Sequence, residues 1–397
     1  MTTSYRNIFL LACCQALLLT NAAGLVAMNG LVGYSLVDMK EIATLGATTY
    51  VLGSALATMP MSLWMARVGR RRGFMAGALI NVAGCALAVF ALAVHSFVLY
   101  CVATAVIGIY NAVGLQYRFA AAEVAAPADK ARAISLVLAG GIAGGFLGPA
   151  VSQWGRDLFA TPFEGSFVLL AAVALVATCV QWFVDVPPAS AHERSHAGRP
   201  LRKIVRQPVF MVAALSAGMG YGLMNLLMTA TPLAMDFCSH PYSAAALVIS
   251  WHVVGMYAPG FVTGSLITRF GALNIIVAGA AVMAVGAAVA LSGTAVAHFV
   301  VALMFVGCGW NFMYTGGTTL LLGAYRPGER ARAQGANDFI MFTIMGLSSF
   351  SSGALVSAAG WTVMNWSALP ILALIAVVVL RYARRPQPAA AAAGGRS

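Results

Sequence analysis

Long apolar segments follow one another along almost the whole chain, and polar or charged residues are concentrated in the short connections between them. A helix needs about 20 apolar residues to cross the hydrocarbon core of a bilayer, and the segments have this length. The pattern predicts an all-α membrane protein whose chain crosses the membrane twelve times. The predicted spans, numbered 1 to 12 in chain order, lie near residues 7–35, 45–66, 73–94, 98–120, 133–155, 166–186, 208–235, 243–266, 273–293, 296–323, 334–358 and 363–382.

The amino-acid composition supports the same class of protein. Of the 397 residues, 61% are hydrophobic and 9% are charged, whereas soluble proteins carry roughly 25% charged residues. The first apolar run begins near Asn7 and extends well past the length of a signal peptide, so we interpret it as span 1.

The net charge of +12 indicates orientation in the membrane rather than a nucleic-acid partner. With the spans given above, only Lys40 and Arg156 of the 23 Lys and Arg residues fall on one side of the membrane. All others lie at the N-terminus, in the even-numbered loops or in the tail. Because cytoplasmic loops carry an excess of Lys and Arg, this bias predicts that both termini are cytoplasmic. The lipid bilayer is therefore an expected partner and nucleic acid is not.

The two halves of the chain resemble copies of each other. The segment Pro127-Ala-Asp-Lys-Ala-Arg-Ala returns two hundred residues later as Pro327-Gly-Glu-Arg-Ala-Arg-Ala, and Asn111 and Asn311 keep the same offset. Parallel six-span repeats are typical of transporters whose substrate site lies between the halves. We predict a six-helix bundle over residues 1–186, a cytoplasmic linker over 187–206, a second six-helix bundle over 207–382 and a disordered cytoplasmic tail over 383–397.

A basic loop over residues 62–72 (SLWMARVGRRR) follows span 2, and residues 264–271 repeat it after span 8. It resembles the signature loop of the major facilitator superfamily, although Ser62 replaces the first glycine and Ala66 replaces the aspartate. The resemblance implies the major facilitator fold, with two pseudo-symmetric six-helix bundles, and a monomer that works by alternating access. It also implies a gating role for Arg67, Gly69, Arg71, Arg269 and Gly271.

Three charged residues are predicted near the cytoplasmic ends of the spans. Arg118 and Glu123 end span 4, and Asp338 lies in span 11. Ionisable side chains inside a membrane are costly and mark functional sites. We interpret the three as gate or interface charges and as candidates for energy coupling.

Soft donor atoms are concentrated on spans 7 and 8. Met224 and Met228 lie four residues apart in span 7, and His252 and Met256 lie four apart in span 8, so each pair shares one helical face. Thioethers together with an imidazole form a ligand set that suits Cu(I). Additional candidates for the same site are Met28, which aligns with Met228 when the halves are superimposed, and Cys238.

The paired motif of Met224, Met228, His252 and Met256 resembles that of CcoA-type copper importers of the major facilitator superfamily. The similarity extends to residues 116–124 at the end of span 4. It implies a secondary transporter that imports copper, as Cu(I), across the bacterial inner membrane and supplies cytochrome oxidase assembly. Copper is then the transported substrate rather than a cofactor, and a cytoplasmic copper acceptor is an implied partner.

Two other functions stay open. The same wider family includes riboflavin transporters, so the substrate could be riboflavin or another small organic molecule in a cavity lined by Trp64, Trp310 and Tyr314. The second alternative is a membrane copper receptor that binds the ion without moving it, although a static receptor has no need for two copied halves. An enzyme is not expected, because the spans contain no nucleophile–base set, phosphate-binding loop or carboxylate pair.

Overall fold

The computed structural model describes residues 3–37, 42, 45–187 and 198–384. Within these residues the regular secondary structure consists of α-helices and short 3₁₀ turns. Residues 385–397 of the predicted tail and residues 188–197 of the predicted linker lie outside the described residues.

The first half contributes six membrane-length spans to the described part of the chain. Spans 1, 2 and 3 are the helices Thr3–Leu36, Leu45–Val68 and Arg70–Ala93. Span 4 consists of Phe97–Gly114 and Tyr117–Val124, span 5 of Lys130–Ala139 and Gly141–Gly155, and span 6 is Glu164–Trp182.

The second half contributes six more. A short helix, Leu201–Val205, precedes span 7, Pro208–Phe237. Span 8 consists of Tyr242–Tyr257 and Gly260–Phe270, and spans 9 and 10 are Ala272–Ser292 and Val296–Leu321. Spans 11 and 12 follow each other as Arg330–Ala383, with a break at Gly360, whose φ is 78°. The prediction of twelve spans is therefore confirmed for the residues that the structure describes.

Spans 2 and 11 are the most polar of the twelve. Ten helices of the described chain are long and apolar enough to cross a membrane by composition alone, and these two are not among them. They pack against each other across the interface between the halves. Polar residues of these spans, including Ser54, Ser62, Asn337 and Asp338, are buried within the protein. Polar side chains in a membrane are tolerated where protein rather than lipid surrounds them, which explains the composition.

The repeat predicted from the sequence is visible in the backbone. Gly69 (φ 92°, ψ 156°) and Gly271 (φ 85°, ψ 150°) join spans 2 to 3 and 8 to 9 with nearly the same geometry. Residues with a side chain rarely adopt this positive φ, so both turns require glycine. The copied segments Pro127–Asp129 and Pro327–Glu329 both form 3₁₀ turns. The two bundles are therefore pseudo-symmetric, as predicted.

The halves meet along two pairs of spans, 2 with 11 and 5 with 8. In the second pair the Ser135 hydroxyl donates to the Gly260 carbonyl and accepts from the Gly264 amide at 2.9 Å. We call the end of the molecule that carries the loops after spans 2, 4, 8 and 10 the basic end.

Candidate functional site

The four predicted copper ligands lie in the apolar interior of the second half. Met224 and Met256 belong to one buried hydrophobic cluster, and Met228 packs against its edge. His252 is fully buried, and its Nδ1 lies 2.7 Å from the carbonyl oxygen of Leu303 in span 10. The structure therefore holds His252 between spans 8 and 10 and leaves its Nε2 without a hydrogen-bond partner among the described residues.

The structure does not bring together the two additional candidate copper ligands, Met28 and Cys238. Met28 is buried in a hydrophobic cluster of the first half, and Cys238 packs at the edge of the cluster in the second half. Among the described residues, no three His, Cys, Asp or Glu side chains lie close enough together to hold a metal ion.

Four aromatic residues of the second half belong to the buried hydrophobic cluster of that half or pack against it. We call them the aromatic cluster: Tyr221, Tyr257, Trp310 and Tyr314. The rings of Trp310 and Tyr314 are stacked, with centroids 5.0 Å apart and an angle of 14° between the planes. Tyr221 meets Trp310 edge-on at 5.4 Å, and Tyr257 meets it edge-on at 5.8 Å. Stacked and edge-to-face contacts at these distances are the favourable arrangements of aromatic rings, so the four rings stabilise one another.

Helix geometry brings these rings to the interface between the halves. Trp310 and Tyr314 lie four residues apart in span 10 and therefore share one face. Tyr257 packs on Gly141 of span 5, where an added Cβ would lie 2.7 Å from the tyrosine ring. Tyr221 packs against a small buried cluster that contains Ala112 of span 4. Both halves therefore enclose the aromatic cluster.

Several polar atoms of span 10 are buried without a partner in the described part of the chain. They are the indole Nε1 of Trp310 and the hydroxyls of Tyr314, Thr315 and Thr318. Buried polar atoms in native proteins nearly always have a partner, which can be water or a ligand. These atoms therefore point to a polar occupant beside the aromatic rings.

A buried ion pair joins the halves next to the aromatic cluster. The Arg118 guanidinium of span 4 donates to the Asp338 carboxylate of span 11, and both side chains are at most 1% exposed. Gln116 and Asn337 also donate to Asp338, at 3.1 Å and 3.0 Å. The Arg118 guanidinium carbon lies 4.8 Å from the centre of the Tyr314 ring. The structure thus brings together two of the three residues predicted for coupling, and connects them to the aromatic cluster.

Glu123, the third residue predicted for energy coupling, belongs to a polar network at the basic end. It binds Arg70 of span 3 at 2.8 Å and Arg330 of span 11 at 3.6 Å. Arg70 also donates to Gln334 of span 11 at 2.6 Å, and the Ser62 hydroxyl donates to the Ala331 carbonyl at 2.9 Å. Contacts from spans 2, 3 and 4 to span 11 therefore hold the two halves together at this end.

The residues predicted to act in gating lie in and beside two tight turns. Gly69 and Gly271 form the tight turns described above. The guanidinium of Arg71 lies 5.0 Å from the Trp182 ring centre and that of Arg269 lies 5.1 Å from the Phe270 ring centre. Arg70, between Arg67 and Arg71, makes the inter-half contacts. Arg70 is not among the gating residues predicted from the sequence, although its place directly after Gly69 in the signature loop was the available signal.

The aromatic cluster was only partly anticipated. Trp310 and Tyr314 were proposed as cavity residues under the riboflavin alternative, and the structure brings them together. Trp64, proposed with them, is 39% exposed and lies outside the cluster. Tyr221 and Tyr257 were missed, because the contact between spans 7, 8 and 10 that brings them to Trp310 is not readable from one sequence.

The sequence is similar to those of known transporters over its whole length. The model of the Major Facilitator Superfamily matches residues 8–256 and 238–397. The chain is 40% identical to the riboflavin transporter RfnT of Brucella anthropi over 99% of both chains. It is 26% identical to YddS, an uncharacterized transporter of the same type from Bacillus subtilis, over 91% of this chain and 87% of that one.

The prediction of copper import is wrong. A relative that is 40% identical from end to end is a riboflavin transporter, which favours the first alternative over a copper carrier. The narrower resemblance to CcoA-type importers gains no support from these relatives. Methionine pairs four residues apart also arise easily in a chain with 19 methionines, and apolar packing accounts for the burial of Met224 and Met256.

Solved structures of transporters share the fold. The outward conformation of FucP superimposes with a TM-score of 0.77 at 13% identity, covering 97% of this chain and 100% of that one. The proton:xylose symporter XylE superimposes with a TM-score of 0.80 at 14% identity, covering 96% of each. At these identities the likeness concerns the fold alone. The match of the family model over both halves establishes that the chain belongs to the Major Facilitator Superfamily.

Proposed function

We propose that the protein carries riboflavin, or a closely related flavin, across the membrane by alternating access. The observation that carries this proposal is the aromatic cluster, a preformed wall of four rings at the interface between the halves. The full-length similarity to a riboflavin transporter supports the same substrate.

The chemistry of riboflavin matches the groups in the cluster. Its isoalloxazine ring is flat and aromatic, so it can stack on tryptophan or tyrosine. One edge of this ring carries amide-like N–H and C=O groups, and the ribityl chain carries hydroxyls. The Trp310 Nε1 and the Tyr314 hydroxyl, which have no partner in the described part of the chain, supply hydrogen-bonding groups beside the rings. Binding sites for small molecules typically combine apolar walls with a few polar groups in this way.

The contacts at the basic end define the movement that transport requires. The halves must separate there for the substrate to leave, so the Arg70, Glu123 and Arg330 contacts and the Arg118–Asp338 pair must break. The positive-inside bias puts this end in the cytoplasm of a bacterium, with both termini on that side. In this arrangement Arg67, Gly69, Arg71, Arg269 and Gly271 lie in the loops that move, and the linker 187–206 connects the rocking halves.

Counterflow tests the proposal without knowledge of the coupling ion. The purified protein is reconstituted in liposomes loaded with unlabelled riboflavin, and entry of radiolabelled riboflavin is measured. We expect saturable entry that excess riboflavin inhibits and Cu(I) does not. Folded protein that gives the same entry as protein-free liposomes would contradict the proposal. Quenching of flavin fluorescence by the detergent-solubilised protein provides an independent measure of binding, because stacking on indole quenches it.

A further inference from the structure

The aromatic cluster lies in a place that has no net charge. The charged groups beside it are Arg118, whose guanidinium carbon lies 4.8 Å from the centre of the Tyr314 ring, and Asp338, which accepts a hydrogen bond from Arg118. These two groups neutralise each other in a direct ion pair. The next cation, Arg70, is held by Glu123 at 2.8 Å and donates to Gln116 at 3.0 Å, toward the basic end.

Two of the three nitrogen atoms of the Arg118 guanidinium already donate hydrogen bonds within the protein. Its Nη2 donates to Asp338 and its Nη1 donates to the Leu115 carbonyl at 2.8 Å. The Tyr314 and Phe119 rings lie 4.8 Å and 4.4 Å from the guanidinium carbon. Only Nε is left without a partner among the described residues, and it is buried. Arginine binds phosphate most strongly through two parallel N–H donors, and Asp338 already accepts from one side of this fork.

We propose that Asp338, through its pairing with Arg118, restricts the site to uncharged flavins and excludes the phosphorylated forms. Riboflavin is neutral, whereas riboflavin 5′-phosphate (FMN) carries close to two negative charges at neutral pH. Moving such a group out of water without an opposite charge is strongly unfavourable. This inference rests on the proposed function, because it concerns how the same site chooses among flavins.

Competition against riboflavin counterflow tests the inference. Three unlabelled competitors are compared: riboflavin, FMN and the 5′-acetate ester of riboflavin, which adds bulk at the same oxygen without charge. We expect FMN to be at least about 100-fold weaker than riboflavin, the effect of roughly 3 kcal/mol of uncompensated charge. The ester should compete within about fivefold of riboflavin, because it needs no counter-charge. An ester that is rejected as strongly as FMN, or FMN that competes like riboflavin, would overturn the inference.

Removal of the charge of Asp338 tests the role of this residue. Asp338→Asn keeps an acceptor for Arg118 but leaves its charge uncompensated, so the preference for riboflavin over FMN should fall at least about tenfold. Asp129→Asn removes the same charge from an exposed pair at the surface and should leave this preference unchanged. An unchanged preference in Asp338→Asn would refute the role of Asp338. If that variant does not fold, the three competitors on the wild-type protein decide.

The experiments distinguish failure of the proposed transport function from failure of the selection by charge. Absence of riboflavin counterflow in the wild type would contradict the proposed function. Riboflavin counterflow that FMN inhibits equally well would leave the transporter intact and refute only the selection by charge.

Discussion

The two halves of the molecule share one frame but not one chemistry. Asn111 donates to the Ser54 hydroxyl of span 2 at 3.3 Å, and Asn311 accepts from the Thr263 hydroxyl of span 8 at 2.7 Å. The equivalent asparagines therefore brace equivalent pairs of helices. The turns at Gly69 and Gly271 and the 3₁₀ turns before spans 5 and 11 repeat as well.

The residues at the interface do not repeat. Two hundred residues before Trp310 and Tyr314, the first half has Tyr110 and Gly114, and a Cβ added to Gly114 would lie 2.9 Å from Cγ of Leu18. Span 4 has Arg118 where span 10 has Thr318, and span 5 has Leu138 where span 11 has Asp338. The repeat therefore specifies the architecture of the carrier, whereas the substrate chemistry depends on the positions at which the halves have diverged.

The largest effect is expected from breaking the ion pair between the halves. Arg118→Ala leaves the Asp338 carboxylate buried without its countercharge, which costs about 3–5 kcal/mol. We expect a large drop in the melting temperature of the detergent-solubilised protein and loss of riboflavin counterflow. Arg132→Ala, in an exposed pair with Asp129, should cost less than about 1 kcal/mol.

A double variant distinguishes the contribution of charge from that of packing at the Arg118–Asp338 pair. Arg118→Gln combined with Asp338→Asn removes both charges and keeps hydrogen-bonding groups. It should be more stable than Arg118→Ala, since no lone charge stays buried. Equal stability of the two proteins would show that the ion pair is not what holds the halves at this point.

Removal of the largest ring in the aromatic cluster is expected to have the next largest effect. Trp310→Ala removes the surface on which the flavin stacks, and one stacked base is worth about 1–3 kcal/mol in comparable sites. Riboflavin binding, measured by fluorescence quenching, should weaken about 5- to 150-fold. Trp366→Ala, at a tryptophan that is 60% exposed, is the matched control and should bind normally. Unaltered binding in Trp310→Ala would locate the substrate elsewhere.

The sequence predicted the fold better than the site for a physical reason. Spans are encoded locally, by runs of apolar residues, and the repeat in basic loops shows that the halves correspond. A site depends on which side chains of distant spans meet, and spacing within one helix does not reveal this. Met224 and His252 share a plausible ligand pattern, yet the His252 ring bonds to the span 10 backbone. Arg70 and Asp338 are 268 positions apart in the chain but belong to one network, because Gln116 and Gln334 bridge spans 3, 4 and 11.

Asp129 and Glu329 occupy equivalent positions in the two 3₁₀ turns, but their surroundings differ. Asp129 is exposed and pairs with Arg132 at 3.4 Å, whereas Glu329 is buried and binds Arg199 of the linker at 2.6 Å. Hydrogen bonds from Arg199 lower the pKa of Glu329 to about 2. We expect Glu329→Gln to destabilise the protein by about 1–3 kcal/mol, the range for hydrogen bonds to charged groups. Asp129→Asn should cost less than about 0.5 kcal/mol.

The pH dependence of melting tests this contribution. An unfolded glutamate has a pKa of about 4.3, so the pairing stabilises the folded protein fully above that pH. The stabilisation is lost as pH falls from about 4.3 toward 2, because the unfolded chain then binds the proton first. The difference in stability between wild type and Glu329→Gln should therefore be constant near neutral pH and shrink below pH 4. A difference that grows on acidification would contradict the assignment.

The smallest effect is expected where the signature loop departs from its family. Ser62 stands in place of a glycine and donates to the Ala331 carbonyl at 2.9 Å, across the interface. Gly264 lies at the equivalent place in the second half, where an added Cβ would lie 2.6 Å from the Ala131 carbonyl. One half thus uses a hydroxyl where the other uses close contact of two backbones. Ser62→Gly should weaken the closed basic end by about 0.5–1.5 kcal/mol, the value of one hydrogen bond.

Hydrogen exchange of the amides near Ala331 measures this opening. Amides that exchange through separation of the halves should exchange about 2- to 10-fold faster in Ser62→Gly, while those in span 9 do not change. Ser62→Ala is the matched variant, because it removes the hydroxyl without the backbone freedom of glycine. If Ser62→Ala exchanges like the wild type and Ser62→Gly does not, helix flexibility rather than the hydrogen bond controls the basic end. If both exchange faster, the Ser62 hydroxyl itself contributes to holding the basic end closed.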